Sequence, residues 1–373
     1  MILIKNGTVH DAQNSPRISD ILIEGEKIAR VSPEITMPDA RVIDARGMHV
    51  LPGFIDPATP VGSQDITFKQ KDHEELSSPV NIDADIRYSF NPNEIMLEAL
   101  YETGVTTIGA CPGNTNVIGG RCAVYTTYGY NSTHMLVQSF SALKGSVAAY
   151  AKREYGARLQ TPMTKMGIFS LLDNALQGEH KGLKKETMDA VLSGQVPFFV
   201  HAESEVEVRA LLHALAPYPH IRLVLTGAYQ SHRCIDALLE RGAAIIIGEL
   251  VEMSRGMYSG TDLQALRAFT AGGGLLTFSG AGGSGARGKL HYLWNAARYR
   301  QAGFSSLEVL RMMTLNPARL LGIDDRKGTL EPGKDADITI FSHDPVNSYA
   351  AFCRYTLVGG ELACERRRTY VAD

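Results

Sequence analysis

Residues 196–215 read VPFFVHAESEVEVRALLHAL. Val196 to Val200 is an apolar run of strand length. Ser204 and Glu207 then stand at the spacing of a capping box, in which each side chain satisfies a backbone N–H of the other's residue. The stretch VEVRALLHAL that follows is amphipathic at helical spacing. A buried strand running straight into a capped helix is the unit of parallel β/α architecture. His201 and Glu203 fall between the two, at the strand's C-terminal end, where barrels of this class place their sites.

Working outward, the same rhythm repeats. Apolar runs lie at 105–110 (VTTIGA), 222–226 (RLVLT), 243–248 (AAIIIG) and 274–279 (GLLTFS). Ser305 and Glu308 form a second capping box, opening LEVLRMMTL. The two ends of the chain differ. Ile21–Ile23 and Ile28–Val31 flank a Gly-containing break, and Tyr355–Val358 and Glu361–Cys364 flank Gly359-Gly360, both hairpin signals. Val42–Asp44, Met48–Leu51 and Ala336–Phe341 are strand-like. Roughly 270 residues of β/α pattern suit a closed barrel. The expectation is an α/β chain: a (β/α)8 TIM-like barrel over residues 51–324, with a small β-sandwich domain built by both termini from 1–50 and 325–373.

Composition narrows the function classes. The 373 residues are 44% hydrophobic and 21% charged, with a formal net charge of −3, which fits a globular protein and argues against a nucleic-acid partner. No run approaches the ~18 apolar residues of a membrane span, and MILIKNGTVHDA lacks the parts of a signal peptide. Five scattered cysteines without a CxxC pair point to a reducing compartment, so a cytoplasmic location is expected.

Three segments carry a family resemblance. Val50-Leu51-Pro52-Gly53-Phe54-Ile55-Asp56, Leu315-Asn316-Pro317-Ala318-Arg319-Leu320-Leu321-Gly322 and Gly328-Thr329-Leu330-Glu331-Pro332-Gly333-Lys334-Asp335-Ala336-Asp337 resemble, in order and spacing, motifs of the amidohydrolase superfamily. Ser77–Val80, Pro112–Gly120 and Lys152–Gly156 are similar to its imidazolonepropionase-like branch. The resemblance implies a barrel holding one or two divalent metals at its strand C-termini, and hydrolysis of amide-like, often cyclic, bonds by a metal-activated water.

Most of the implied ligands are replaced. Where the family has His-x-His after the first barrel strand, this chain has Ala58 and Pro60. Lys144 stands at the fourth-strand position, with the branch's alternative glutamate falling near Ala149. His201 matches the fifth-strand ligand. Thr226 occupies the sixth-strand histidine position, and His232 reads as a residue of the following helix. The aspartate expected after the eighth strand is missing, and no carboxylate occurs from Ala271 through Leu307. One histidine cannot define a catalytic zinc site, which usually takes three protein ligands. The ancestral divalent metal, zinc by the resemblance, is therefore expected to be absent, with no cofactor in its place.

The remaining polar groups define a candidate pocket. His201 and Lys144 are its candidate catalytic residues, and Asp56, Asn114, Asn116, Glu203, Thr226, Gly280 and Gly282 its candidate lining. Gly280 to Gly285 fits G-x-G-x-x-G, a weak dinucleotide signal. In this position it reads better as a loop filling the mouth, or as backbone for an anion, with Arg287 and Lys289 close in sequence. The Asp72-His73-Glu74-Glu75 cluster reads as a solvated loop. The leading expectation is a pseudoenzyme that binds a small-molecule or anionic ligand or a partner, and forms a homo-oligomer. Two alternatives stay open: a divergent hydrolase remodelled around His201, and a structural subunit paired with an active paralogue.

Overall fold

The computed structural model describes residues 1–64, 71–178, 185–248, 260–280 and 288–366. Both chain ends build one sheet. Strands β1 (Ile2–Val9), β2 (Arg17–Glu24), β3 (Lys27–Ser32), β4 (Arg41–Asp44) and β5 (His49–Pro52) come from the N-terminal end. The middle of the chain supplies β6 (Phe54–Thr59), β7 (Val105–Ala110), β8 (Ile118–Thr126), β9 (Leu136–Ser146), β10 (Phe198–Ala202), β11 (Leu223–Gly227), β12 (Ala244–Ile247) and β13 (Leu276–Phe278). The last strands are β14 (Ile338–Phe341), β15 (Cys353–Val358) and β16 (Glu361–Glu365). The small domain's ladder runs β16-β15-β14-β5-β1-β2-β3, and β4 branches from β1. Its strands share one apolar cluster that includes Ile4, Ile21, Val50, Ile338 and Leu357.

The second sheet is the barrel, in the order β13-β12-β11-β10-β9-β8-β7-β6. It departs from the expected (β/α)8 pattern at one strand. β8 pairs antiparallel with both β7 and β9. The chain crosses from β7 over the mouth through residues 111–117, descends along β8 and climbs again in β9. No helix separates β7 from β8, and only the four-residue helix Ser132–Met135 precedes β9. The apolar run Cys122-Ala123-Val124-Tyr125 is the part of the sequence that makes β8.

The edge strands β13 and β6 share no ladder. Side chains join them instead. Ser279 Oγ lies 2.7 Å from Asp56 Oδ1 and 3.0 Å from the Ala58 carbonyl, and the Gly280 N–H donates to Asp56 Oδ2 at 3.2 Å. Tyr292 donates its hydroxyl to the Ile55 carbonyl at 2.9 Å.

Strand alternation sorts the barrel side chains into two layers. Phe198, Val200, Leu223, Leu225, Ile245 and Ile247 pack outward in the large core shared with the helices. Ile55, Val124, Ala142, Phe199, Val224 and Ile246 cluster separately, filling the interior as a packed core.

Two of the resemblance motifs lie where the two sheets meet, while residues 315–322 pack against the barrel interior through Ala318, Leu320 and Leu321. Gly53 passes so close to Thr106 that a Cβ there would stand 2.1 Å from its Oγ1. Lys327 is buried at 3% exposure, 2.5 Å from Asp337 Oδ2 and 3.2 Å from Asp335 Oδ2. Lys27 and Arg326 also reach Asp335, at 2.6 and 3.0 Å. Asp337 accepts from Thr107 at 3.3 Å and from the Gly359 N–H at 2.8 Å, tying β7 to the strands around it.

Candidate functional site

The site grows from strand register. Thr226 pairs with His201, and Lys144 with Phe199, across parallel ladders. His201 is two residues beyond Phe199, Thr226 two beyond Val224, and Lys144 two beyond Ala142. Period-two alternation therefore puts all three on the inward face, His201 and Thr226 one layer above the apolar plug and Lys144 in register with Phe199 at its top.

His201 is 6% exposed and both its ring nitrogens are engaged. Nδ1 lies 3.3 Å from Thr226 Oγ1, and Nε2 lies 3.3 Å from Glu203 Oε1. A carboxylate only accepts, so Nε2 carries the proton and Nδ1 accepts from the threonine hydroxyl. Burial lowers the pKa of His201, with Lys144 adding to the effect and Glu203 opposing it. The ring is thus a neutral imidazole at pH 7. Gly227 makes room for it: the glycine has φ +76°, and a Cβ there would stand 2.4 Å from His201 Cε1.

Glu203 continues the network. Tyr150 donates its hydroxyl to Glu203 Oε1 at 2.7 Å, and the Arg153 guanidinium stacks 5.2 Å over the Tyr150 ring. Burial works against ionisation of Glu203, but His201, Tyr150 and Arg153 outweigh it and hold its pKa below the usual value. The capping box read from the sequence is formed: Glu207 Oε2 accepts from the N–H groups of Glu203 and Ser204 at 2.9 and 3.1 Å. It fixes the strand-to-helix turn that carries Glu203.

Lys144 is 3% exposed. Its ammonium donates to Asn114 Oδ1 at 2.6 Å and to the Gly145 carbonyl at 3.1 Å. Burial pulls its pKa down to about 8, against the opposing pull of Cys111, Cys122 and Glu74. Asn116 is used structurally, accepting from Tyr155 at 2.6 Å and donating to the Glu75 carbonyl at 2.6 Å.

The segment 72–75 departs from the solvated loop expected of it. His73 and Glu74 are half-buried. The His73 carbonyl accepts from the Gly113 N–H at 2.9 Å, and Glu74 accepts from Thr115 at 2.6 Å. This segment is folded down on the β7–β8 crossing, since buried backbone polar groups there need partners.

His201, Glu203, Thr226 and Tyr150 thus form one contact group, and Lys144 with Asn114 a second. Asp56 and Gly280 make up the β13–β6 clasp. Gly282, Ser284 and Arg287 lie outside the described residues, as does the Lys289 side chain. Ala58 lies on β6, followed after Thr59 by Pro60, and His232 sits in the short turn Ser231–Arg233 with its Nδ1 accepting from the Asp262 N–H at 3.4 Å. Tyr150 and Gly227 escaped the sequence reading. Tyr150 opens a helix without a capping side chain, and Gly227 looked like any strand-end glycine. The one group of three His, Cys, Asp or Glu side chains with ligand atoms close enough to share an ion, among the described residues, is His10, His49 and Asp344 in the small domain. Nothing in their sequence spacing announced it.

Residues 225–363 match the amidohydrolase family. A dihydroorotase from Solibacter usitatus is 50% identical over 56 residues, covering 15% of this chain and 13% of its own length. The amidohydrolase tasK of Hapsidospora irregularis is 23% identical over 383 aligned positions, covering 90% of this chain and 39% of its own. The chain therefore spans well under half of these relatives. An amidohydrolase from Thermotoga maritima MSB8 has the same fold, with a TM-score of 0.89, 24% identity and coverage of 98% of this chain and 100% of that one. A prolidase solved with N-methylphosphonate-L-proline is more distant, with a TM-score of 0.63 and 16% identity over 98% of this chain and 100% of that one. The chain therefore shares the fold of the Thermotoga maritima amidohydrolase, and its residues 225–363 match the amidohydrolase family. Among the described residues no helix is long and apolar enough to cross a membrane.

Proposed function

We propose that this amidohydrolase-like chain binds a small polar or anionic ligand at the barrel mouth and does not carry out metal-dependent hydrolysis there. The observation that carries the reading is the state of His201. Its Nδ1 lone pair is directed at the Thr226 hydroxyl and its Nε2 proton at Glu203, so a cation at Nδ1 would first have to displace the Thr226 hydroxyl. Ala58 and Pro60 bring no donor side chain, and Thr226 stands where the resemblance asks for an imidazole. Catalytic zinc takes about three protein ligands, and this donor set does not fit it. The imidazolonepropionase-like branch stays part of the proposal, resting on residues 77–80, 112–120 and 152–156.

The test is turnover. Purified protein with and without added zinc is incubated with hydantoin and succinimide, two simple cyclic amides, and ring opening is followed by absorbance. We expect no zinc-dependent turnover. Zinc-dependent ring opening that disappears in His201→Ala would overturn the reading.

A second reading has one observation in its favour. A neutral His201 beside Glu203, with the Lys144 pKa near 8, is acid–base equipment that works without metal. A divergent hydrolase would show turnover indifferent to chelator and abolished by His201→Ala.

A further inference from the structure

We propose that His10, His49 and Asp344 form a binding site for a divalent transition cation of the zinc class, in the small domain and away from the barrel mouth. The inference is independent of what the mouth does. Three neighbouring strands deliver the three side chains. His10 directly follows β1, and its N–H donates to the Val50 carbonyl at 2.8 Å. His49 opens β5, paired with Thr8 of β1 on one side and with Phe341 of β14 on the other. Asp344 lies three residues past Phe341. β5 leads directly into the N-terminal end of β6, whereas His201 lies at the C-terminal end of β10, so the cluster lies toward the N-terminal ends of the barrel strands and His201 at their C-terminal ends.

The donor geometry suits one ion. His10 Nε2 and His49 Nδ1 are 2.9 Å apart, and one ligand atom from each of the three residues lies within 4.8 Å of the others. Zinc bound at roughly 2.0–2.2 Å sets its tetrahedral donors about 3.3 Å apart. A cation replacing the proton now shared between the rings therefore needs them to part by a few tenths of an ångström. That shared proton also means that one ring already offers a lone pair to the other. His10 is buried and His49 and Asp344 are half-buried, which shields the site while leaving it reachable.

The carboxylate is held from behind, as supporting partners of metal ligands usually are. Asp344 Oδ1 accepts from the Val346 N–H at 2.9 Å and Oδ2 from Asn347 Nδ2 at 2.6 Å. Asn347 in turn accepts from Arg300 Nε at 2.9 Å, so an ion here would link the small domain to the helix Gly288–Gln301. Two imidazoles and one carboxylate select zinc and its neighbours over magnesium or calcium, which prefer oxygen ligands throughout. Three protein donors leave a fourth position for water or a further ligand.

The test is zinc titration of the full chain by calorimetry, with elemental analysis after desalting. Wild type and His201→Ala are each expected to bind one equivalent, with excess magnesium having no effect. In His49→Ala and Asp344→Asn the affinity is expected to fall by more than about 100-fold, the upper end of what losing a mere supporting partner costs. Circular dichroism confirms the fold of each variant. Should His49→Ala not fold, Asp344→Asn, which keeps the side chain's shape, decides the matter. Failure of wild type to bind zinc, or binding undiminished in the folded variants, would overturn the site. Loss of the equivalent in His201→Ala alone would overturn it too, moving the ion to the mouth.

Discussion

The domain junction and the barrel mouth are both made of buried polar groups, yet they relate to the sequence in opposite ways. At the junction the segments that mark the family are intact, and each is used in packing. Gly53 clears Thr106, and Asp335 and Asp337 receive Lys327, Lys27, Arg326, Thr107 and the Gly359 backbone. At the mouth His201, Thr226, Glu203 and Tyr150 bond to one another, as do Lys144 and Asn114. Gly53 and the 328–337 segment therefore serve the packing between the two sheets, while the mouth is a separate network of side chains. Fold and function are separable in this architecture.

Substitutions at the two regions sharpen that contrast. The largest effect belongs to the junction. Lys327→Ala leaves Asp337 buried without its 2.5 Å partner and is expected to cost about 3–5 kcal/mol, read by chemical denaturation. A cost no larger than that of a surface change would remove the junction's architectural role.

Lys144 acts in the opposite direction. Its folded pKa of about 8 lies below the ordinary lysine value of 10.5, so the folded state is the poorer proton binder. Stability therefore rises with pH between about 8 and 10.5 and levels off above. Lys144→Met is expected to flatten that rise and to stabilise the protein by about 2 kcal/mol at pH 7, after allowing for the lost partner of Asn114. A wild-type profile that is flat or falling over this window would contradict the burial assigned to the ammonium.

Smaller effects come from single hydroxyls. Ser279→Ala removes the 2.7 Å contact to Asp56 that helps close β13 onto β6, an expected loss of about 1–2 kcal/mol. Thr226→Val keeps the shape and deletes the partner of His201 Nδ1, costing about 1 kcal/mol. It should also raise the affinity of the mouth for zinc, because a lone pair is released. Unchanged zinc affinity would show that Thr226 does not occupy it.

Much of the fold could be read from local pattern. Apolar runs placed His201 and Thr226 at the ends of the strands that became β10 and β11, the resemblance singled out Lys144, and the capping boxes at Ser204 and Ser305 formed as expected. The antiparallel β8 was not legible, because its apolar run has no helix before it to break the β/α rhythm. Tyr150 at the mouth and the His10–His49 pair in the small domain were equally hidden. Tyr150 reaches Glu203 from 53 residues away, and His10 meets His49 across 39. Such pairings depend on strand order and register, which a linear pattern does not encode.

We propose above all that His201 is a neutral Nε2–H imidazole bonded to Thr226 and Glu203 that takes up no metal. Nitrogen-15 NMR of the histidine side chains tests this directly, with the His201 signals identified by their loss in His201→Ala. The account predicts a neutral Nε2–H pattern at pH 7 that stays unchanged when zinc is added. A zinc-induced shift of the His201 ring nitrogens would contradict it.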